Sequence, residues 1–226
     1  MKAPVIVAAL FVAFAVTCSA PAEKPRLRLV YKDSFEQGAT RWEPTDETAW
    51  RIKETAQGKV LSQFKKRSQY EPPFRSPLNI SLLRDVNVTD FELTVKVLST
   101  HEDYGHRDVC LFFGYQDPAH FYYVHLGKKT DDHANQVFIV NGAARTKIST
   151  KTTEGTDWDD QWHTIRIVRS SRSGTILIYF DDMKRHVMAA TDSTFRWGRV
   201  GVGSFDDTGD WDDFRLRGQL HEAEAE

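Results

Sequence analysis

The chain has 226 residues, 40% of them hydrophobic, and a formal net charge of −2. That length and composition suit one globular domain with a sizeable core. Lysine and arginine are scattered rather than clustered, which excludes a broad basic footprint and, with it, nucleic acid as the partner.

The first stretch, MKAPVIVAALFVAFAVTCSAPAE, reads as a secretory signal peptide over residues 1–22. Lys2 supplies the positive start and Val5 to Val16 a short apolar segment. Ala20-Pro21-Ala22 supplies a small-x-small cleavage signal, and the apolar run is too short for a comfortable membrane span. The expected address is secreted or periplasmic, without an integral membrane segment. Lipid anchoring through Cys18 is the alternative. With the leader removed, Cys110 is the one remaining cysteine, so no internal disulfide can form. Its setting, VCLFFG, predicts a buried thiol.

From there the chain shows short alternating or apolar runs and almost no helical periodicity. They are Arg28–Lys32, Trp50–Glu54, Val60–Phe64, Phe91–Leu98, Val109–Tyr115, Phe121–Leu126, Gln136–Asn141, His163–Arg169, Thr175–Phe180, Arg199–Phe205 and Phe214–Arg217. Turn pairs such as Asp117-Pro118, Asn141-Gly142 and Ser173-Gly174 separate them. This pattern predicts an all-β, antiparallel two-sheet β-sandwich over residues 23–218, followed by an acidic frayed tail at 219–226. Asn79-Ile80-Ser81 and Asn87-Val88-Thr89 are glycosylation sequons, treated as ordinary strand and loop residues.

The run Gln63–Arg75 holds a basic cluster and Pro72-Pro73, and reads as an exposed crossing loop, a solvated face by default. The segment HFYYVHLGKKTDDH, 120–133, raises the question of a metal or catalytic centre. A hairpin centred on Asp117-Pro118 pairs Val109 with Leu126, Leu111 with Val124 and Phe113 with Tyr122, all pointing to one apolar side. The other side pairs Cys110 with His125, Phe112 with Tyr123 and Gly114 with Phe121. On this register His120 and His125 point to opposite faces, and His133 lies in a loop, so the three do not make a zinc site. The outer, ring-lined face is the candidate ligand surface. Phe112 and Tyr123 would stack on a sugar ring, and His125 would bond hydroxyls or move a proton. Arg107, Lys128 and Gln136 lie at its edges, where Arg107 and Lys128 would hold a carboxylate or sulfate, and Trp158 in the turn Asp157–Trp162 would stack on glycan while Trp162 packs in the core. The competing expectation is that loop 99–107, or the loop after Gly127, covers these rings as a secondary core.

Five carboxylates in eight residues mark Asp206–Asp213, read as a solvated acidic turn; Trp211 stands where an EF-hand needs glycine. No glycine-rich phosphate loop and no serine elbow occur, which disfavours phosphoryl transfer and serine hydrolysis.

WHTIRIVRSSRSGTILIYFDD (Trp162–Asp182), GRVGVGSFDDTGDWDDFRLRG (Gly198–Gly218) and YKDSFEQGATRWEP (Tyr31–Pro44) resemble strands of the concanavalin A-like lectin/glucanase superfamily, of laminin-G-like type. The layout is also similar to bacterial exported domains grouped with 3-keto-disaccharide hydrolases. The resemblance implies a jelly-roll fold and carbohydrate as partner. It also implies a candidate structural calcium at Asp33 and Asp213, with no other cofactor required. The Glu-x-Asp-x-x-Glu strand of laminarinase-type glucanases is absent. The alginate-lyase Gln-Ile-His strand is represented by Gln136-Val137-Phe138, without the histidine. The expected function is therefore carbohydrate binding. The alternatives are a glycoside hydrolase or lyase using His125 and Tyr123 with Arg107 and Lys128, and a protein adhesion module.

Overall fold

A computed structural model describes residues 27–222; the leader, Cys18 and the last four residues lie outside them. Within them alternation decides the architecture. Sixteen strands follow in chain order: β1 (Arg28–Asp33), β2 (Trp42–Pro44), β3 (Trp50–Thr55), β4 (Gly58–Gln63), β5 (Asn79–Leu83), β6 (Val88–Ser99), β7 (Asp108–Asp117), β8 (His120–Gly127), β9 (Gln136–Asn141), β10 (Thr146–Lys147), β11 (Ser149–Thr152), β12 (His163–Ser170), β13 (Thr175–Phe180), β14 (Met188–Thr191), β15 (Arg199–Ser204) and β16 (Gly209–Leu220).

They form two antiparallel sheets. One runs β11-β14-β13-β12-β6-β16-β4-β3, with β1 paired to β16; the other runs β10-β9-β8-β7-β15-β5-β2. In the first sheet Leu93, Val95, Val97, Ile165, Ile167, Ile176 and Ile178 point inward. They meet Val109, Leu111, Phe113, Tyr122, Val124 and Leu126 of the second. Each such aliphatic, fully buried, contributes roughly 1.5–3 kcal/mol. The sandwich is the predicted one. Five strands have no counterpart among the predicted runs: β2, β5, β10, β11 and β14, all five residues or shorter. The tail also begins later than predicted, since β16 runs through Leu220.

The β7–β8 register is the expected one from Val109↔Leu126 to Phe113↔Tyr122. It breaks between Phe113 and Asp117, where Gly114 takes φ 57°. That left-handed residue is a bulge, which reverses the facing of the residues after it. Gly114 therefore does not pair with Phe121; Tyr115 swings to the outer side and stacks on Phe121, centroids 5.1 Å apart.

The outer face of the second sheet is covered. Ile80, Leu82, Cys110, Phe112, Tyr115, Phe121, Tyr123, Phe138 and Val140 form a second buried cluster. Tyr70, Phe74 and Phe205 pack over it. Most of the cover is the Gln63–Arg75 segment, which the sequence predicts to be a solvated face, and Phe205 after β15 completes it. The loop after Gly127 covers only the His125 end, where the His133 carbonyl meets Nδ1, and loop 99–107 adds no residue to the cluster. The protein thus has three layers on this side: sheet, sheet and an irregular strap.

Candidate functional site

The covering strap corrects the predicted ligand strip. Phe112 and Tyr123 are wholly buried, and His125 is 5% exposed. Arg145 closes the cluster: its Nη1 donates to the Tyr123 hydroxyl at 2.7 Å, and its guanidinium lies over Phe138 and Phe205. No sugar ring can stack on rings packed in this way.

The edge residues are corrected as well. Arg107 is 1% exposed and donates from Nε to Ser99 Oγ and from Nη2 to the Ser99 carbonyl and Asp160. Gln136 is buried and donates to the Asp131 carbonyl. Lys128 stays partly exposed and pairs with Asp103. The two tryptophans exchange roles. Trp158 is 2% exposed and donates to the Leu126 carbonyl, whereas Trp162 is 37% exposed. The reason is parity: His163, Ile165 and Ile167 face inward, so Trp162 falls on the outer side.

Asp33 and Asp213 do line one hollow, of about 370 Å³. Asp33, however, already accepts from Tyr31 Oη, Trp42 Nε1 and the Phe35 amide. Asp213 is paired with Lys96 at 2.6 Å, and Lys32 and Arg215 line the same hollow. A site with its carboxylates engaged and cations on its wall does not fit calcium.

The structure gathers a different set at the end of the sandwich. Loop 99–107, the β15–β16 turn and Lys66 enclose a hollow of about 360 Å³, lined by His101, Glu102, Asp103, Tyr104, Asp206 and Asp207. Asp207 is 1% exposed. Its Oδ1 accepts from Tyr104 Oη at 2.8 Å and lies 3.5 Å from His101 Nε2; its Oδ2 accepts the Asp108 amide at 2.7 Å. Burial, and then the charge of Asp108, push its carboxyl up to about 6. The same two causes raise exposed Asp206. Beneath them His125 Nε2 meets Asp108 Oδ2 at 2.5 Å. Of this set only His125 is among the functional residues expected from sequence. The acids are visible in Asp206–Asp213, but sequence does not show that Asp207 turns inward.

Other hollows differ in kind. The groove on the outer face of the first sheet, among Glu92, Thr94, Lys96, Asp213, Arg215 and Arg217, holds no aromatic ring. A smaller one, about 210 Å³, lies against Trp42 and Trp50.

The raised Asp207 makes stability depend on pH. Its neutral form is favoured in the fold, so that contribution is complete below the ordinary value of 3.8 and is lost as pH rises through about 6. Asp46 acts oppositely, held low by the Gln69 amide and Thr48, and weakens the fold as acid protonates it. Calorimetric melting should therefore peak near pH 5, with Asp207 costing on the order of 2 kcal/mol by pH 8. A melting temperature that is flat or rising between pH 5 and 8 would contradict this burial.

No family model matches the sequence, and no curated protein matches it. Solved structures do. A carbohydrate binding module, CBM66, from Bacillus subtilis is 18% identical with a TM-score of 0.56, over 79% of this chain and 96% of that one. A Bacillus subtilis protein of unknown function with a galectin-like fold is 11% identical with a TM-score of 0.57, over 86% and 98%. A GH43 protein, BlXynB, from Bacillus licheniformis is 13% identical with a TM-score of 0.60; the match covers 83% of this chain and 39% of that one. The chain has the concanavalin A-like jelly-roll fold that the sequence motifs implied.

Proposed function

We propose that the chain is an exported carbohydrate-binding domain that takes a saccharide in the Asp206–Asp207 hollow. The observation that carries this reading is the convergence there of carboxylate, imidazole, ammonium and phenol groups around a space of about 360 Å³. Saccharides are recognised by just such a combination of donors and acceptors with one ring to stack on, and Tyr104, 40% exposed, offers the ring. Support also comes from the fold's neighbours, one named a carbohydrate binding module and another a GH43 protein. No helix among the described residues is long and apolar enough to cross a membrane.

A glycan array followed by titration calorimetry tests the site. Asp206→Asn and Tyr104→Ala should each weaken binding at least about tenfold, roughly 1.4 kcal/mol, in a protein that remains folded. Loss in Trp50→Ala alone would move the site to the tryptophan-lined hollow and overturn this assignment. A second reading, a carbohydrate-active enzyme, is favoured by one feature. A carboxyl pushed up to about 6 beside another acid suits a proton donor. Turnover of a glycan, abolished in Asp207→Ala, would establish it; an intact glycan panel would remove it.

A further inference from the structure

We propose that Asp108, Cys110 and His125 form a binding site for a divalent transition metal of zinc type. Their placement follows from the register. Cys110 faces His125 across the β7–β8 pair, and Asp108 lies two residues before Cys110, on the same side of the strand. One donor atom from each lies within 4.8 Å of the other two, and all three residues are buried. A thiol, an imidazole and a carboxylate are the donor set of zinc or cobalt, not of calcium or magnesium.

Two further contacts orient the donors. His125 Nδ1 lies 2.8 Å from the carbonyl of His133. A carbonyl only accepts, so Nδ1 carries the hydrogen and Nε2 is the atom turned to the cluster. This is the outer contact that ligating histidines use to fix their ring. The second oxygen of Asp108, Oδ1, accepts the Phe205 amide at 3.2 Å, which leaves Oδ2 directed at Nε2.

The exchange balances. A divalent ion displaces the proton shared by His125 and Asp108, 2.5 Å apart, and the thiol proton of Cys110. Two protons leave and two positive charges enter, so this buried pocket carries the same net charge before and after. Bonds of about 2.0 Å to nitrogen and 2.3 Å to sulfur require the histidine and aspartate to part by about 1 Å as the sulfur closes in. Water completes the coordination.

The probe is Co²⁺, added to the chelator-stripped chain in a Cys18→Ser background, so that Cys110 supplies the only thiol. One equivalent should bind with a thiolate-to-cobalt band in the near ultraviolet. Zn²⁺ should displace it one for one, and affinity should rise with pH. Cys110→Ser, close in size, should lose the band, and His125→Gln should bind at least about tenfold more weakly. Surface histidines can hold cobalt without the band. Absence of the band in the Cys110-containing chain therefore overturns the proposal, whether or not the variants fold. A band that persists in Cys110→Ser overturns it too. Saccharide binding by metal-free protein is measured separately, so failure of one reading leaves the other standing.

Discussion

Phe112→Ala should lower the free energy of unfolding by about 3–5 kcal/mol, the cost of emptying a fully buried phenylalanine site. The ring lies 6.0 Å from Tyr123 and 6.1 Å from Phe121, centroid to centroid, inside the cluster under the Gln63–Arg75 strap. Its removal leaves a void that neighbouring aromatics, held in their own pairings, cannot collapse into. The measurement is a urea midpoint. Saccharide affinity of the fraction that stays folded should be unchanged. A folded variant of undiminished stability that has lost binding would mean that the strap opens and the rings are the working surface after all.

Arg107→Ala should be nearly as damaging, by about 3 kcal/mol. The guanidinium is 1% exposed and gives Ser99 two hydrogen bonds, to Oγ and to the carbonyl, with Ser99 itself 2% exposed. Each buried acceptor left without its donor costs about 1–3 kcal/mol, and the cavity adds to that. Its bond to Asp160 contributes little, because that carboxylate stands in water. Arg107→Lys should recover only part of the loss, since an ammonium cannot present the two donors in the same planar fork. A residue that merely gripped a ligand from the rim would show neither effect; an Arg107→Ala urea midpoint equal to wild type would return it to that role.

These two residues show where sequence reasoning works and where it stops. Alternation within each run shows which side chains share a face, because strand parity is local; the tip itself turns at Pro118-Ala119, and the bulge at Gly114 offsets that shift so that the expected pairs from Val109 to Phe113 still form. The inward aliphatics of β6, β7, β8 and β12 are all legible on that ground. Whether the other face meets water is not local. Its cover is supplied by Tyr70 and Phe74, about fifty residues earlier in the sequence, and by Phe205, about eighty later. Nothing in FYYVH marks that encounter. Trp158 and Trp162 exchange places for a related reason: both sit before a strand, and only the exact first inward residue, His163, decides which one is buried. The acidic hollow is half visible. The run Asp206–Asp213 advertises its charge, but the inward turn of Asp207 depends on the Asp108 amide and Tyr104, both across a turn of the fold.

The last strand in the chain, β16, is not at the border of its sheet; it lies between β6 and β4 and also carries β1. The middle of the larger sheet can therefore zip together only after strands far apart in the sequence have met. Such long-range closure is slow, and until then the nascent polypeptide stays open. That delay leaves the inward aliphatics of β6 and the open edge of β4 available to other unfolded chains until β16 arrives between them.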